Sequence, residues 1–119
     1  MARYEHLPIY KKAYDLNVYF EKIVRGFSRY HKYTLGTELR TGARETVKLI
    51  RYANNQTDKR QSLIELREIL EQMKLTLNLC KDVKAFNNFN SFQVAINLVI
   101  DISRQNEGWL KSLSLKVCK

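Results

Sequence analysis

Arg40, Arg44, Lys48 and Arg51 follow one another at spacings of four, four and three residues. On a helix turning ~100° per residue they span an arc of ~80° and form one basic ridge about three turns long. Like charges four residues apart repel by a few tenths of a kcal/mol per pair, so a partner must offset them. A phosphate backbone would do so, and so would carboxylates on another helix or subunit; the shortage of acids in the chain favours phosphate. A second cluster, Phe27 to Tyr33 (FSRYHKY), mixes Arg29, His31 and Lys32 with Tyr30 and Tyr33. Such a segment can neutralise and stack a nucleic-acid strand. Equally, its aromatic residues can close the end of a helical bundle while its charges stay in water.

Other chemistries lack their residues. A di-iron bundle needs Glu-x-x-His on two helices, and no Glu-x-x-His occurs. Glu65, Glu68 and Glu71 fall outside the main apolar stripe of their helix and read as a solvated face. Cys80 and Cys118 form no CxxC or Cys/His spacing that would hold zinc, and His31 has no second ligand at a suitable distance along the chain. Nor do His6 and His31 lie on the helices carrying Cys80 and Ser103, so neither suits a base for a nucleophile there. With no Gly-rich phosphate loop either, the expectation is a protein without enzymatic activity, metal or cofactor.

The composition points the same way. A net charge of +9, from 21 Lys and Arg against 12 Asp and Glu, is what a polyanionic partner calls for. At 119 residues, 45% apolar and with four Gly and one Pro, the chain suits one all-α domain of few long elements. No apolar run follows the N-terminal charges as in a signal peptide, and no window approaches the ~18 apolar residues of a membrane span. Two reduced thiols and a cytoplasmic location are expected.

Four helices must position these residues. The most regular, about 58–85, carries Leu63, Leu66, Leu70, Met73, Leu77 and Cys80 on one face and Ile64, Leu75 and Leu79 on the other. A helix over about 8–25 starts at Pro8 and buries Ile9, Ala13, Leu16, Phe20, Ile23 and Val24, with Phe27 on the same side. Tyr10, Tyr14 and Val18 flank that side, while Tyr19 is expected to point away. The ridge lies on a helix over about 34–53, with Thr34 as its N-cap, Leu35, Leu39, Ala43, Val47 and Ile50 buried, and Gly42 allowing a neighbour to approach. Asp58 suits the start of the next helix, and Phe86 and Phe89 the closing of a bundle end. The last helix, about 91–117, buries Phe92, Ala95, Val99, Ile102, Leu110, Leu113 and Val117; Trp109 belongs in the core or a subunit interface. Connections of about four to seven residues predict an antiparallel up-down-up-down four-helix bundle spanning 1–119 as a single domain. Extra apolar residues on the last two helices, among them Val94, Ile96, Leu98 and Ile100, predict a homo-oligomer.

Leu7 to Asp15 (LPIYKKAYD), Phe27 to Arg40 (FSRYHKYTLGTELR) and the four-helix layout together resemble the accessory variability determinant proteins of diversity-generating retroelements. That family belongs to a group of small bacterial four-helix-bundle proteins that includes those encoded in ribosomal RNA intervening sequences. The resemblance covers essentially the whole chain, and its most specific part is Phe27 to Arg40. It implies a non-enzymatic, basic, barrel-shaped homopentamer that associates with a reverse transcriptase and with RNA or DNA. The implied role is support of mutagenic copying of a template repeat into a variable gene. The basic positions that match are Arg29, Lys32, Arg40, Arg44, Lys48 and Arg51.

Two functional classes follow. In the first, Lys and Arg release counterions from phosphates with little readout of base sequence, while another surface grips the polymerase. In the second, the chain is an oligomeric interaction scaffold whose ridge pairs with an acidic protein. Membrane binding is disfavoured, because the apolar side of the ridge helix lacks the Trp or Phe of interfacial helices.

Overall fold

In the computed structural model, residues 4–117 are described, with side chains as far as residue 114. Four long helices pack around one core, and among the described residues there is no strand. The first, α1 (Pro8–Arg25), begins at the proline, whose missing N–H costs nothing in a first turn. A single helical turn, α2 (Arg29–Lys32), follows, with the Ser28 hydroxyl accepting from the His31 N–H at 3.5 Å. Then come α3 (Leu35–Asn54), α4 (Arg60–Asp82) and α5 (Phe89–Val117). Both α1 and α4 pack against α3 and α5. The molecule measures 51 × 23 × 21 Å.

The apolar stripes meet as their spacing requires. Leu16 and Phe20 of α1, Leu39 and Ile50 of α3, Leu63, Leu66 and Leu77 of α4, and Val99 and Ile102 of α5 are wholly buried. Each such side chain contributes ~1.5–3 kcal/mol to folding relative to an exposed position. Polar bonds tie the helices at defined heights: Asn17 Nδ2 donates to the Ala43 carbonyl at 2.7 Å and Asn106 Nδ2 to the Leu63 carbonyl at 2.9 Å. At Gly42 an added Cβ would lie 3.1 Å from Met73 Cγ, the close approach of α4 that its position predicts. Gly36 is tighter, with Val24 Cγ1 only 2.7 Å from where a Cβ would stand.

Several local expectations are corrected. Tyr19 does not point away: it is half-buried against the core, and its hydroxyl donates to the Ser91 carbonyl at 3.4 Å. Thr34 precedes α3 without capping it, because its Oγ1 donates back to the Tyr30 carbonyl at 2.8 Å. α4 starts two residues later than expected because Lys59 is engaged elsewhere. Its ammonium donates to the carbonyls of Ala53, Asn54 and Gln56 at 3.1, 3.3 and 2.6 Å, closing the end of α3. Asp58 Oδ1 still accepts from the Arg60 N–H at 3.2 Å, as its position suggests.

The other end of α4 falls at Asp82, since Lys84 adopts a left-handed φ of 59°. The Ala85 N–H then reaches the Cys80 carbonyl and the Lys84 N–H the Lys81 carbonyl, at 2.8 and 3.1 Å, satisfying two terminal acceptors. Phe86 packs edge-on to Phe27 at 5.4 Å and to Phe92 at 5.9 Å, whereas Phe89 is exposed. Trp109 and Leu113 pack against the core. The expected burial of Val117 concerns a side chain beyond residue 114, and Cys118 lies outside the described residues.

Candidate nucleic-acid interface

The ridge stands on the flank of α3 that borders α1, and all four of its cations have a neighbour within the chain. Arg40 Nε and Arg44 Nη2 both approach Glu21 Oε2, at 3.1 and 3.3 Å. Lys48 Nζ lies 3.5 Å from Glu45 Oε1, and the Arg51 guanidinium sits 5.7 Å from the centre of the Tyr4 ring. The repulsion inferred along the ridge is therefore offset in part from inside. One carboxylate between two guanidinium groups leaves a net positive charge, and Arg44, Lys48 and Arg51 are exposed while Arg40 is half-buried.

Lys32 joins this surface from the α2 turn. With Arg25, Arg40, Glu21 and Val24 it lines a shallow groove of about 190 Å³. Arg29 is exposed on the same turn, and no contact links it to the ridge. Arg25 is an addition to the predicted set; as the last residue of α1 it gave no periodic signal linking it to α3. The FSRYHKY segment divides between its two readings. Phe27 is buried and closes the bundle end, while Tyr30 and Tyr33 are 74% and 67% exposed beside Arg29 and Lys32.

A row of tyrosines marks the opposite end of the ridge. The Tyr4 and Tyr10 rings meet edge-on at 5.0 Å, and Tyr10 and Tyr14 lie tilted at 6.2 Å. Burial raises the Tyr10 pKa above its usual value, with Tyr4, Tyr14 and Glu5 acting in the same direction and Arg51 against it. Its phenol thus stays neutral at physiological pH, and the row adds aromatic surface at this end of the ridge.

The flank of α3 facing α4 has another character. Glu45 and Leu49 join Ile64, Glu65, Glu68 and Ile69 around a groove of about 460 Å³. A neighbouring groove of about 380 Å³ is lined by Glu38, Gly42, Ile69, Met73 and others. Leu75 and Leu79 are exposed on α4, as expected for the far side of that helix, whereas Ile64, expected there too, is half-buried against the core. Across the α4 and α5 boundary, Arg67 donates two bonds to Glu107 at 2.7 and 2.8 Å, which holds the Glu107 carboxyl below its usual pKa. Inside the bundle, burial, reinforced by Glu38, pushes the Cys80 thiol up to about 11, so it remains protonated at neutral pH.

Among the described residues no group of three or more His, Cys, Asp or Glu is placed to hold a metal, and no helix is long and apolar enough to cross a membrane. A scan against protein-family models finds no match, and searches of curated proteins and of solved structures find none either.

Proposed function

We propose that this chain is a non-enzymatic, cytoplasmic accessory protein of a diversity-generating retroelement, binding RNA or DNA and the element's reverse transcriptase in support of mutagenic copying and retrohoming. The observation that carries the nucleic-acid part is the run of cations along the boundary of α1 and α3: Lys32, Arg40, Arg44, Lys48 and Arg51 with Arg25, against the carboxylates of Glu21 and Glu45. The retroelement part rests on the resemblance at Leu7 to Asp15 and Phe27 to Arg40. In this reading the helices form an antiparallel up-down-up-down bundle, supported by the pairing of Asn17 with Ala43 and of Glu21 with Arg40 and Arg44. The bundle assembles as a homo-oligomer, a pentamer by resemblance, through apolar residues such as Leu75 and Leu79.

The mechanism is electrostatic. Phosphates replace condensed cations on the ridge, so binding is largely independent of base sequence and strongly dependent on salt. Affinity for a labelled RNA strand and an RNA/DNA hybrid is expected to fall ~10³–10⁵-fold between ~50 and ~200 mM salt if six to ten phosphates are contacted. Replacing Arg40, Arg44, Lys48 and Arg51 together by Ala should lower the slope of log affinity against log salt by about 3. A folded, assembled variant that keeps full affinity and slope would refute the role of the ridge.

A second reading is favoured by the carboxylates that already face the ridge and by the exposed leucines of α4. Here the chain is an interaction scaffold and its contact with nucleic acid is incidental. Pull-down with the reverse transcriptase before and after nuclease treatment separates the two. Loss of the complex with the nucleic acid removes the scaffold reading; survival of the complex after nuclease treatment, with loss of the partner but little change of RNA affinity in the ridge variant, supports it.

A further inference from the structure

Contacts between α1 and α3 order the two helices along one groove. Glu21 meets Arg40 and Arg44, Asn17 bonds to Ala43, and Tyr4 lies under Arg51. Moving back along α1 from Glu21 therefore moves forward along α3 toward Arg51. Tyr14 precedes Glu21 by seven residues, which returns it to within ~20° of the same line on the helix. The Tyr14 side of the groove is thus the side that also carries Glu21 and borders the ridge. Its ring is 53% exposed, although Tyr10 and, through it, Tyr4 support it from one side.

We propose that the groove between α1 and α3 selects single-stranded nucleic acid, holding phosphates on Arg44, Lys48 and Arg51 and stacking an unpaired base on Tyr14. This rests on the reading of the ridge as a phosphate surface and adds a substrate class to it. A duplex presents phosphates but covers the faces of its bases, so only an unpaired base can lie on the ring. Base-on-aromatic stacking tolerates any sequence, because every base has a π-face. The supported ring beside a row of cations joins the two components that single-strand binding requires.

The test uses the full chain with labelled strands of about ten nucleotides, as RNA and as DNA, each alone and in a duplex. Fluorescence anisotropy of the wild type is expected to favour the single strand. Tyr14→Ala should weaken single-strand binding about tenfold, close the gap to duplex, and leave the salt slope unchanged because no charge is lost. Tyr14→Phe should retain the affinity, since the ring and not the hydroxyl stacks. Circular dichroism confirms that each variant is folded. Equal binding of single strand and duplex by the wild type, or full affinity in folded Tyr14→Ala, overturns the proposal. If that happens while the fourfold ridge variant still loses binding, the phosphate reading stands and only the base-stacking platform falls. Binding without salt dependence in the wild type overturns both.

Discussion

The two flanks of α3 differ in sign and in rigidity. Toward α1 the helix presents Arg40, Arg44, Lys48 and Arg51, and Gly36 is pressed against the branched side chain of Val24. Toward α4 it presents Glu38 and Glu45, and Gly42 rests against the unbranched Met73. One helix of 20 residues thus separates positive from negative surface while burying a third face in the core. A net charge of +9 by itself does not describe a uniformly basic molecule; its excess is directed.

The strongest measurable consequence is expected inward, at Cys80, where burial acts first and Glu38 of the acidic flank adds to it. Its folded pKa is raised from 9.0 to about 11 by burial and then by Glu38. A raised thiol pKa stabilises the fold below the unfolded value and loses that contribution as pH climbs through the folded one. Unfolding free energy should therefore fall by on the order of 2 kcal/mol between pH 9 and 11. Denaturant titrations of wild type and Cys80→Ala across that range should show a shallower alkaline decline in the variant.

The difference in rigidity is sharpened by two alanine substitutions. Gly36→Ala adds a methyl group 2.7 Å from Val24 Cγ1 and 3.1 Å from the His31 carbonyl. Overpacking should outweigh the helix-propensity gain and cost about 1–2 kcal/mol in unfolding free energy. A smaller effect, on affinity, separates the carboxylates of the two flanks. Glu21→Gln removes the anion shared by Arg40 and Arg44 and should tighten RNA binding about threefold at low salt. The same change at Glu65, which touches no ridge cation, should leave the affinity as it was. Smallest of all, Gly42→Ala should change stability by less than ~1 kcal/mol, because flexible Met73 can yield while the helix gains propensity.

Much of this was legible in the spacing of residues. The 3.6-residue stripes located four long helices to within three residues at each end and picked out a core that includes Leu63, Leu66, Leu70 and Leu77. They also placed four basic side chains on one ridge, since all lie on a single helix. What they left out depends on contacts between segments distant in the chain. Glu21 gave no sign of serving Arg40 and Arg44, 19 and 23 residues away. Tyr19 falls off the apolar stripe of α1, yet finds a carbonyl 72 residues on. Lys59 looked like the first turn of a helix and instead closes the preceding one. The row formed by Tyr4, Tyr10 and Tyr14 has a spacing of six and four, which matches no single face; the single 3-10 turn Tyr4–His6 ahead of α1 is what brings Tyr4 against Tyr10.

Asn106 occupies a place between Ile102 and Leu110 where the stripe of α5 would otherwise continue with an apolar side chain, and it is fully buried. Leucine and isoleucine surfaces fit one another in more than one alignment, so a pair of long helices held by them alone can slide. The amide that reaches the Leu63 carbonyl acts as a peg between α4 and α5. Displacement by half a turn, about 2.7 Å, breaks that bond and leaves Nδ2 unpaired in hydrocarbon beside Oδ1, which has no partner even in the native register. A single side chain of this kind makes the sliding of two greased rods into a choice among discrete notches, of which one is occupied.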